Sequence, residues 1–191
     1  MNISVFCGSR TGINPHFAEA IVTFGKMMGE KNHNLLYGGS NLGYMGLVAN
    51  SALNAGAQVV AVIPTLFDST IINSIEVSET ILVKRRAERK HILWNKSDAF
   101  VALPGGIGTL DEITEMLTNN QLQLAGGLAE DRGSCSTPPK PIVLLNIDGF
   151  YDPFLKQLDT MVSEGLFSKE DRRNVYSAKT AEEVFAILDN N

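Results

Sequence analysis

A glycine turn between an apolar run and a helical pattern carries the clearest chemical signal in this sequence. The run PGGIG at 104–108 follows five apolar residues, 99–103, and precedes a helix that we expect to begin at Thr109. Glycines let the backbone turn sharply and approach a ligand closely. The free N–H groups and positive dipole end of the following helix attract an anion. The turn therefore predicts a phosphate site, and we expect a nucleotide phosphate there.

Charged residues stand on both sides of this turn in the chain. Glu112 lies just beyond it, and Arg89 and Lys90 lie in the charged helical segment 85–96. A carboxylate stabilises positive charge that develops on a sugar, and the forked guanidinium binds phosphates and carboxylates. Alone, these residues have simpler explanations, because Thr109 and Glu112 form a capping box and a charge-rich helix is usually a solvated face. Their combination with the glycine turn favours a functional site.

The elements around the turn alternate between strand and helix. Apolar runs predict strands at 3–7, 34–37, 57–63, 81–83, 99–103 and 141–146, with a short edge strand at 175–176. Helical patterns lie between them, and the sequence Asn14-Pro15 is a good helix start. This order predicts an α/β fold, a Rossmann-like doubly wound parallel sheet with helices on both faces. Ligands of such sheets bind at the carboxyl ends of the strands.

The remaining segments give no sign of a second domain. At 191 residues, the chain is expected to form a single domain over 1–191. The segment 65–80 has no clean period and is expected to be an excursion before the next strand. The segment 125–139, rich in Gly, Ser, Pro and charge, predicts a mobile surface loop.

Composition excludes several classes of function. A net charge of −5 and a pI near 5.2 argue against a nucleic-acid binder with a basic surface. No apolar run approaches the roughly 18 residues of a membrane span, and the amino-terminal residues resemble no signal peptide, so we expect a cytoplasmic protein without membrane contact. Neither the two cysteines, Cys7 and Cys135, nor the three histidines have metal-ligand spacing, so no metal is expected. Cys7 is expected to be a buried small residue rather than a nucleophile.

Two common nucleotide-binding motifs are missing. The first strand is followed by GSRTG at 8–12, which is not the G-x-G-x-x-G of dinucleotide-binding dehydrogenases. The second strand ends in Tyr37 and two glycines, without the acidic residue that would hold a ribose 2′-hydroxyl. No G-x-x-x-x-G-K-[ST] run is present, so a P-loop ATPase is not supported either.

The sequence PGGIGTLDE at 104–112 resembles the P-G-G-x-G-T-x-x-E motif of the LONELY GUY (LOG) family. The family's second motif, an R-K pair on the preceding helix, is matched by Arg89-Lys90. The resemblance continues through 5–9, 37–46 and 146–151 and covers nearly the whole chain except 65–83 and 125–139. LOG proteins are cytokinin riboside 5′-monophosphate phosphoribohydrolases, long mislabelled as lysine decarboxylases. The resemblance therefore implies cleavage of the N-glycosidic bond of AMP or an N6-modified AMP, giving free base and ribose 5-phosphate.

The resemblance also implies roles for individual residues. Arg89 and Glu112 correspond to the catalytic pair. The residues implied in binding the substrate or its phosphate are Gly8, Ser9, Gly39, Lys90, Pro104, Gly105, Gly106, Gly108, Thr109 and Thr118. The family needs neither a metal nor an organic cofactor. It forms homodimers with the sites near the interface, for which the charged helix at 85–96 is our candidate contact.

Two alternatives stay open at this point. A non-catalytic carrier of a nucleotide or of the molybdenum cofactor would share the fold, but it has no use for a carboxylate at the anomeric carbon. A pyridoxal-phosphate lysine decarboxylase would need a Schiff-base lysine, for which Lys90 is the only candidate. The preferred base is not set by the motifs, and we expect it to face parts of 65–80 and the Arg10 loop. No residue is indicated as the acid that protonates the leaving base.

Overall fold

Seven parallel strands form one sheet at the centre of the molecule, whose computed structural model describes residues 1–65, 76–124 and 138–191. The strands are β1 (Asn2–Phe6), β2 (Asn34–Tyr37), β3 (Val59–Pro64), β4 (Glu79–Val83), β5 (Ala99–Ala102), β6 (Ile142–Leu145) and β7 (Val175–Ala178). Their order across the sheet is β4-β3-β2-β1-β5-β6-β7. Every pairing is parallel, as the alternation of strands and helices predicts.

Helices cover both faces of this sheet. They are α1 (Pro15–Glu30), α2 (Gly43–Asn54), α3 (Arg86–Lys96), α4 (Ile107–Leu124), α5 (Asp152–Ser163), α6 (Lys169–Arg173) and α7 (Ala181–Leu188), with a 3₁₀ turn at Ile147–Gly149. Buried side chains of α1, α2 and α7 pack on one face, and those of α3, α4 and α5 pack on the other. This arrangement confirms the Rossmann-like, doubly wound fold. Among the helices described, none combines the length and apolarity needed to cross a membrane.

The first strand lies in the middle of the sheet and feeds both cores. Ile3 and Val5 pack with the α1 side, whereas Phe6 packs with the α3 side. On that second side Phe100 stacks between Phe6 and Trp94, with ring centroids 6.1 and 5.4 Å apart. Trp94 is therefore a packing residue, and burying these large rings stabilises the α3 side of the sheet.

The predicted bounds of most elements agree with the observed bounds to within two residues. One difference matters for the candidate site. Helix α4 begins at Ile107 rather than at Thr109, so the helix N-terminus reaches into the glycine turn itself. The short helix α6 follows a Ser168 cap that the sequence analysis did not single out. Residues 66–75 and 125–137, which carry most of the expected excursion, most of the expected mobile loop and Cys135, lie outside the described residues.

The switch point of the sheet lies between β1 and β5, where the strand order changes direction. Strands β2 to β4 lie on one side of β1, and β5 to β7 lie on the other. The loops after β1 and β5 are joined where they leave the sheet, because the Gly8 N–H donates to the Pro104 carbonyl oxygen at 3.3 Å. The loop after β2 ends at the same edge. A ligand site is expected at this topological switch point.

Candidate active site

A cavity of about 780 Å³ opens at the switch point, between the loops that follow β1, β2 and β5. Its lining residues come from the segments 7–12, 38–45 and 104–112, together with Phe17, Ile63, Arg86, Arg89 and Phe150. Such a volume is in the range of cavities that hold small-molecule ligands. The cavity therefore joins the glycine turn, the two candidate catalytic residues and a group of aromatic side chains.

The glycine turn forms one wall of the cavity and depends on the absence of a side chain at Gly105. A Cβ there would lie 2.1 Å from Thr109 Oγ1 and 2.9 Å from the Gly8 nitrogen. The turn, the first residues of α4 and the loop after β1 can therefore meet only because residue 105 is glycine. The Thr109 N–H donates to the Gly106 carbonyl oxygen at 3.0 Å. Thr109 is thus inside the helix, and the capping box that offered a simpler explanation for Glu112 does not form.

The N-terminus of α4 keeps its backbone donors available. In the ranges that the structure covers, the N–H groups of Gly106, Ile107 and Gly108 donate to no backbone or side-chain acceptor. The N-terminus of α2 differs, because its Tyr44 and Met45 N–H groups donate to the Gly8 carbonyl oxygen at 3.1 and 3.2 Å. Unpaired N–H groups at a helix N-terminus bind anions. Of these two helix N-termini, the one at the PGGIG turn is therefore suited to a phosphate.

Arg89 and Glu112 form a buried ion pair at the cavity wall. The guanidinium of Arg89, from α3, donates through Nη2 to the Glu112 carboxylate of α4. Their side chains are only 12% and 9% exposed. Arg89 reaches this position over Gly38, where a Cβ would lie 2.6 Å from Nη2. Helices α3 and α4 and the end of β2 therefore hold the ion pair in place. The Glu112 side chain binds Arg89 instead of capping the helix.

Burial and charge act against each other at Glu112. Desolvation raises the pKa of its carboxyl above the ordinary value, and the adjacent Arg89 guanidinium opposes that rise. Burial likewise raises the pKa of the nearby Cys7 thiol far above its usual range, and the Glu112 charge adds to this effect. Since the thiolate is the reactive form, Cys7 is inert as a nucleophile, as the sequence analysis expected.

Lys90 lies next to Arg89 in the chain but on a different surface. Its ammonium pairs with the Glu115 carboxylate and lies 3.4 Å from that of Asp111. Burial favours the neutral amine, but these carboxylates outweigh it and the pKa of Lys90 is raised. Lys90 is not among the described residues that line the cavity.

The structure brings most of the predicted site residues together. Those that line the cavity are Gly8, Ser9, Arg89, Pro104, Gly105, Gly106, Gly108, Thr109 and Glu112. Gly39, Lys90 and Thr118 do not line it in the described part of the chain. Thr118 is exposed on α4, and its hydroxyl donates to the Thr114 carbonyl oxygen at 2.9 Å. A binding role for these three residues remains a prediction.

Sequence reasoning missed an aromatic wall of the cavity formed by Phe17, Tyr44 and Phe150. Phe17 belongs to the apolar face of α1, and helical spacing does not distinguish a core position from a cavity position. Phe150 follows β6 in the run at 146–151, and that run was the one signal that could have drawn attention to it. The expected contribution of the Arg10 loop is present, because residues 10–12 line the cavity.

Comparisons with known proteins identify relatives over nearly the whole chain. The family model described as "Possible lysine decarboxylase" matches residues 45–188. The chain is 39% identical to the cytokinin riboside 5′-monophosphate phosphoribohydrolase LOG of Oryza sativa subsp. japonica, over 98% of this chain and 72% of that protein. It is 35% identical to the corresponding LOG2 protein of Arabidopsis thaliana, over 98% and 82% of the two chains.

Solved structures add a likeness of fold. The molybdenum cofactor binding protein from Rippkaea orientalis matches with a TM-score of 0.67 and 21% identity, over 99% of this chain and 95% of that chain. At this identity the likeness concerns the fold alone.

Proposed function

The chain belongs to the LOG family of phosphoribohydrolases, and from this premise we propose that it hydrolyses the N-glycosidic bond of a nucleoside 5′-monophosphate to free base and ribose 5-phosphate. One observation carries the proposal. The Arg89–Glu112 pair and the unpaired N–H groups of the glycine turn line one cavity. A carboxylate held near a phosphate site is what cleavage of a phosphorylated sugar requires.

The phosphate site fixes the position of the sugar. The N–H groups at the start of α4 and the Thr109 hydroxyl would hold the 5′-phosphate, so that the sugar extends along α4 toward Glu112. Holding the 5′-phosphate at the start of α4 and the sugar beside Glu112 lowers the entropy cost of reaching the transition state. A nucleoside without the phosphate would lack this anchor, and we expect it to be a poor substrate.

Glu112 would act on the charge that develops during bond cleavage. As the C1′–N bond breaks, its electron pair leaves with the base and the sugar becomes positively charged at C1′. The Glu112 carboxylate stabilises that charge or orients the water whose oxygen bonds to C1′. Burial raises the pKa of Glu112, and the Arg89 guanidinium opposes that rise and holds the carboxylate in place.

The two competing functions fit the site less well. A Schiff-base lysine must be uncharged and must face the cavity. Lys90 has a raised pKa and pairs with carboxylates, which does not favour a decarboxylase. A molybdenum-cofactor carrier rests on a likeness of fold at 21% identity, and a buried carboxylate paired with arginine favours hydrolysis.

A homodimer with the cavity near the interface is a further part of the proposal. Two apolar side chains at the cavity, Ile107 and Leu42, are 84% and 61% exposed in the single chain. Helix α3 remains our candidate contact. Light scattering on the purified protein tests this part, and a monomer at micromolar concentration would contradict it.

The proposed reaction is tested with purified protein and five incubations. AMP, N6-isopentenyl-AMP and adenosine are incubated with the wild-type protein, and Glu112→Gln is incubated with both nucleotides. Free base and ribose 5-phosphate are quantified by chromatography. We expect release from at least one nucleotide, none from adenosine, and loss of release in the variant. Binding of AMP without release would instead support the carrier function.

A further inference from the structure

We propose that the Tyr44 hydroxyl is the hydrogen-bond donor to the departing base, a role for which the sequence indicated no residue. The inference rests on the proposed hydrolysis and concerns the aromatic part of the cavity lining. It starts from the aromatic wall formed by Phe17, Tyr44 and Phe150.

The aromatic wall is a continuous surface. The ring centroids of Phe17 and Tyr44 are 6.4 Å apart, those of Phe17 and Phe150 are 5.3 Å apart, and both pairs meet edge to face. The wall also joins distant parts of the chain, since Phe17 belongs to α1 and Phe150 follows β6. Aromatic rings contact the flat face of a nucleobase favourably and with little dependence on its identity.

Hydrogen bonds outside the cavity hold the wall in place. The Asp148 carboxylate accepts from the Asn14 side-chain amide at 2.8 Å, and the His16 ring lies 2.8 Å from the same oxygen. Asn14 and His16 are at the start of α1, next to Phe17, and Asp148 is two residues before Phe150. These contacts fix the wall before a ligand arrives, which reduces the cost of ordering it on binding.

The Tyr44 hydroxyl is the polar group of this wall, and one hydrogen bond to its oxygen holds it in place. Its oxygen accepts the Gly12 N–H at 2.8 Å, which fixes the hydroxyl beside a second cavity-lining residue. Tyr44 is only 3% exposed. The hydroxyl hydrogen has no acceptor among the described residues. A phenol whose oxygen accepts one bond can still donate its hydrogen, and Tyr44 is one of the residues that line the cavity.

A donor at this position suits the leaving base. When the C1′–N bond breaks, the electron pair moves into the base, and its ring nitrogens become stronger acceptors. A hydrogen bond from Tyr44 to a ring nitrogen stabilises this charge without transferring its proton. The proton that the base finally gains is balanced by the one that the attacking water loses. Tyr44 and Glu112 would therefore act on the two opposite charges of one transition state.

The test compares two leaving groups in Tyr44→Phe. The nucleotide substrate is AMP or N6-isopentenyl-AMP, whichever the wild type cleaves, and the second substrate is p-nitrophenyl β-ribofuranoside 5-phosphate. Nitrophenolate leaves without needing a donor. We expect kcat on the nucleotide to fall about 10- to 100-fold, as for loss of a hydrogen bond to a charged group. On the nitrophenyl substrate we expect a change below about twofold. Tyr176→Phe, which removes an exposed hydroxyl far from the cavity, should leave both rates unchanged.

Other outcomes overturn the inference in distinguishable ways. A nucleotide rate equal to that of the wild type would show that the base needs no donor from Tyr44. An equal loss on both substrates would show that the hydroxyl only supports the loop at Gly12. If the wild type cleaves neither substrate, the proposed function itself fails, and the inference fails with it.

Discussion

Two ion pairs link the same two helices at neighbouring residues, yet their surroundings differ. Arg89 pairs with Glu112 at the cavity, where the side chains are 12% and 9% exposed. Lys90 pairs with Glu115 one helical turn along α4, where the side chains are 15% and 33% exposed. The second pair also has Asp111 beside it, whose carboxylate lies 3.4 Å from the Lys90 nitrogen.

The two ion pairs differ in how strongly the fold shields their charges from solvent. Around Lys90, the carboxylates of Asp111 and Glu115 are 49% and 33% exposed, so solvent can stabilise their charges when the ammonium is removed. Among the described residues, Arg89 is the ion-pair partner of Glu112, whose side chain is only 9% exposed, and the pKa of Glu112 rises because burial outweighs the guanidinium. A buried charge that loses its partner costs far more than an exposed one. The difference supports the proposed catalytic role of the first pair, whereas the second pair joins the two helices.

The largest expected effect is on stability, when each cation is removed in turn. Arg89→Met leaves the Glu112 carboxylate buried and unpaired, and we expect it to lower the free energy of unfolding by about 3–5 kcal/mol. Lys90→Met should lower it by less than about 1 kcal/mol. Urea unfolding measures both values. The double variant Arg89→Met with Glu112→Gln should recover part of the loss, and equal losses in the two single variants would contradict the comparison.

The second effect is on turnover, when each carboxylate is replaced by its amide. Glu112→Gln keeps the shape of the side chain and removes the charge, and we expect kcat to fall about 10²- to 10³-fold. Glu115→Gln is the matched control on the same helix, and its kcat should stay within about threefold of the wild type. Steady-state rates of base release give kcat for both variants. A similar loss in both variants would mean that the cavity pair has no special role.

A third prediction extends the comparison to the glycine turn, which lies on the cavity side of α4. Gly105→Ala places a methyl group 2.1 Å from Thr109 Oγ1, and we expect a loss of about 1–3 kcal/mol in stability. Gly108→Ala meets no described atom within 4 Å, so its stability should change by less than about 0.5 kcal/mol. Thermal unfolding of both variants checks this, and an unaffected Gly105→Ala would show that the three segments are not packed as tightly as described.

The smallest expected effect is a shift in the pH dependence of kcat. The proposed reaction needs the ionised Glu112 carboxylate, and burial raises the pKa of this group. Turnover should therefore fall as the pH is lowered, with a midpoint above about 4.3, the ordinary value for glutamate. The measurement uses saturating nucleotide, so that ionisation of the free substrate does not enter. Circular dichroism over the same range confirms that the fold persists, and a kcat that is flat down to pH of about 4.3 would refute the prediction.

Local sequence signals predicted most of the fold, because strands and helices alternate with clear apolar patterns. The glycine turn, Arg89 and Glu112 were also predicted to share a site, and the structure brings them together. The position of Lys90 was not predicted, because adjacent residues of one helix point in directions that only the packed neighbours distinguish. The wall that Phe17 and Phe150 form was missed for a related reason, since residues far apart in sequence create it.

Because β1 lies in the centre of the sheet, its two neighbouring strands become available to it at different times during synthesis. Ile3 pairs with Leu35 on one side and with Ala99 on the other, so the two neighbours of β1 differ greatly in their distance along the chain. During synthesis the strands β1 to β4 are made first, and β1 then carries an unpaired edge until residues 99–102 emerge. Such an edge is open to pairing with other chains. Completion of the cavity and protection from aggregation therefore depend on the same late event, the docking of β5 onto the first strand.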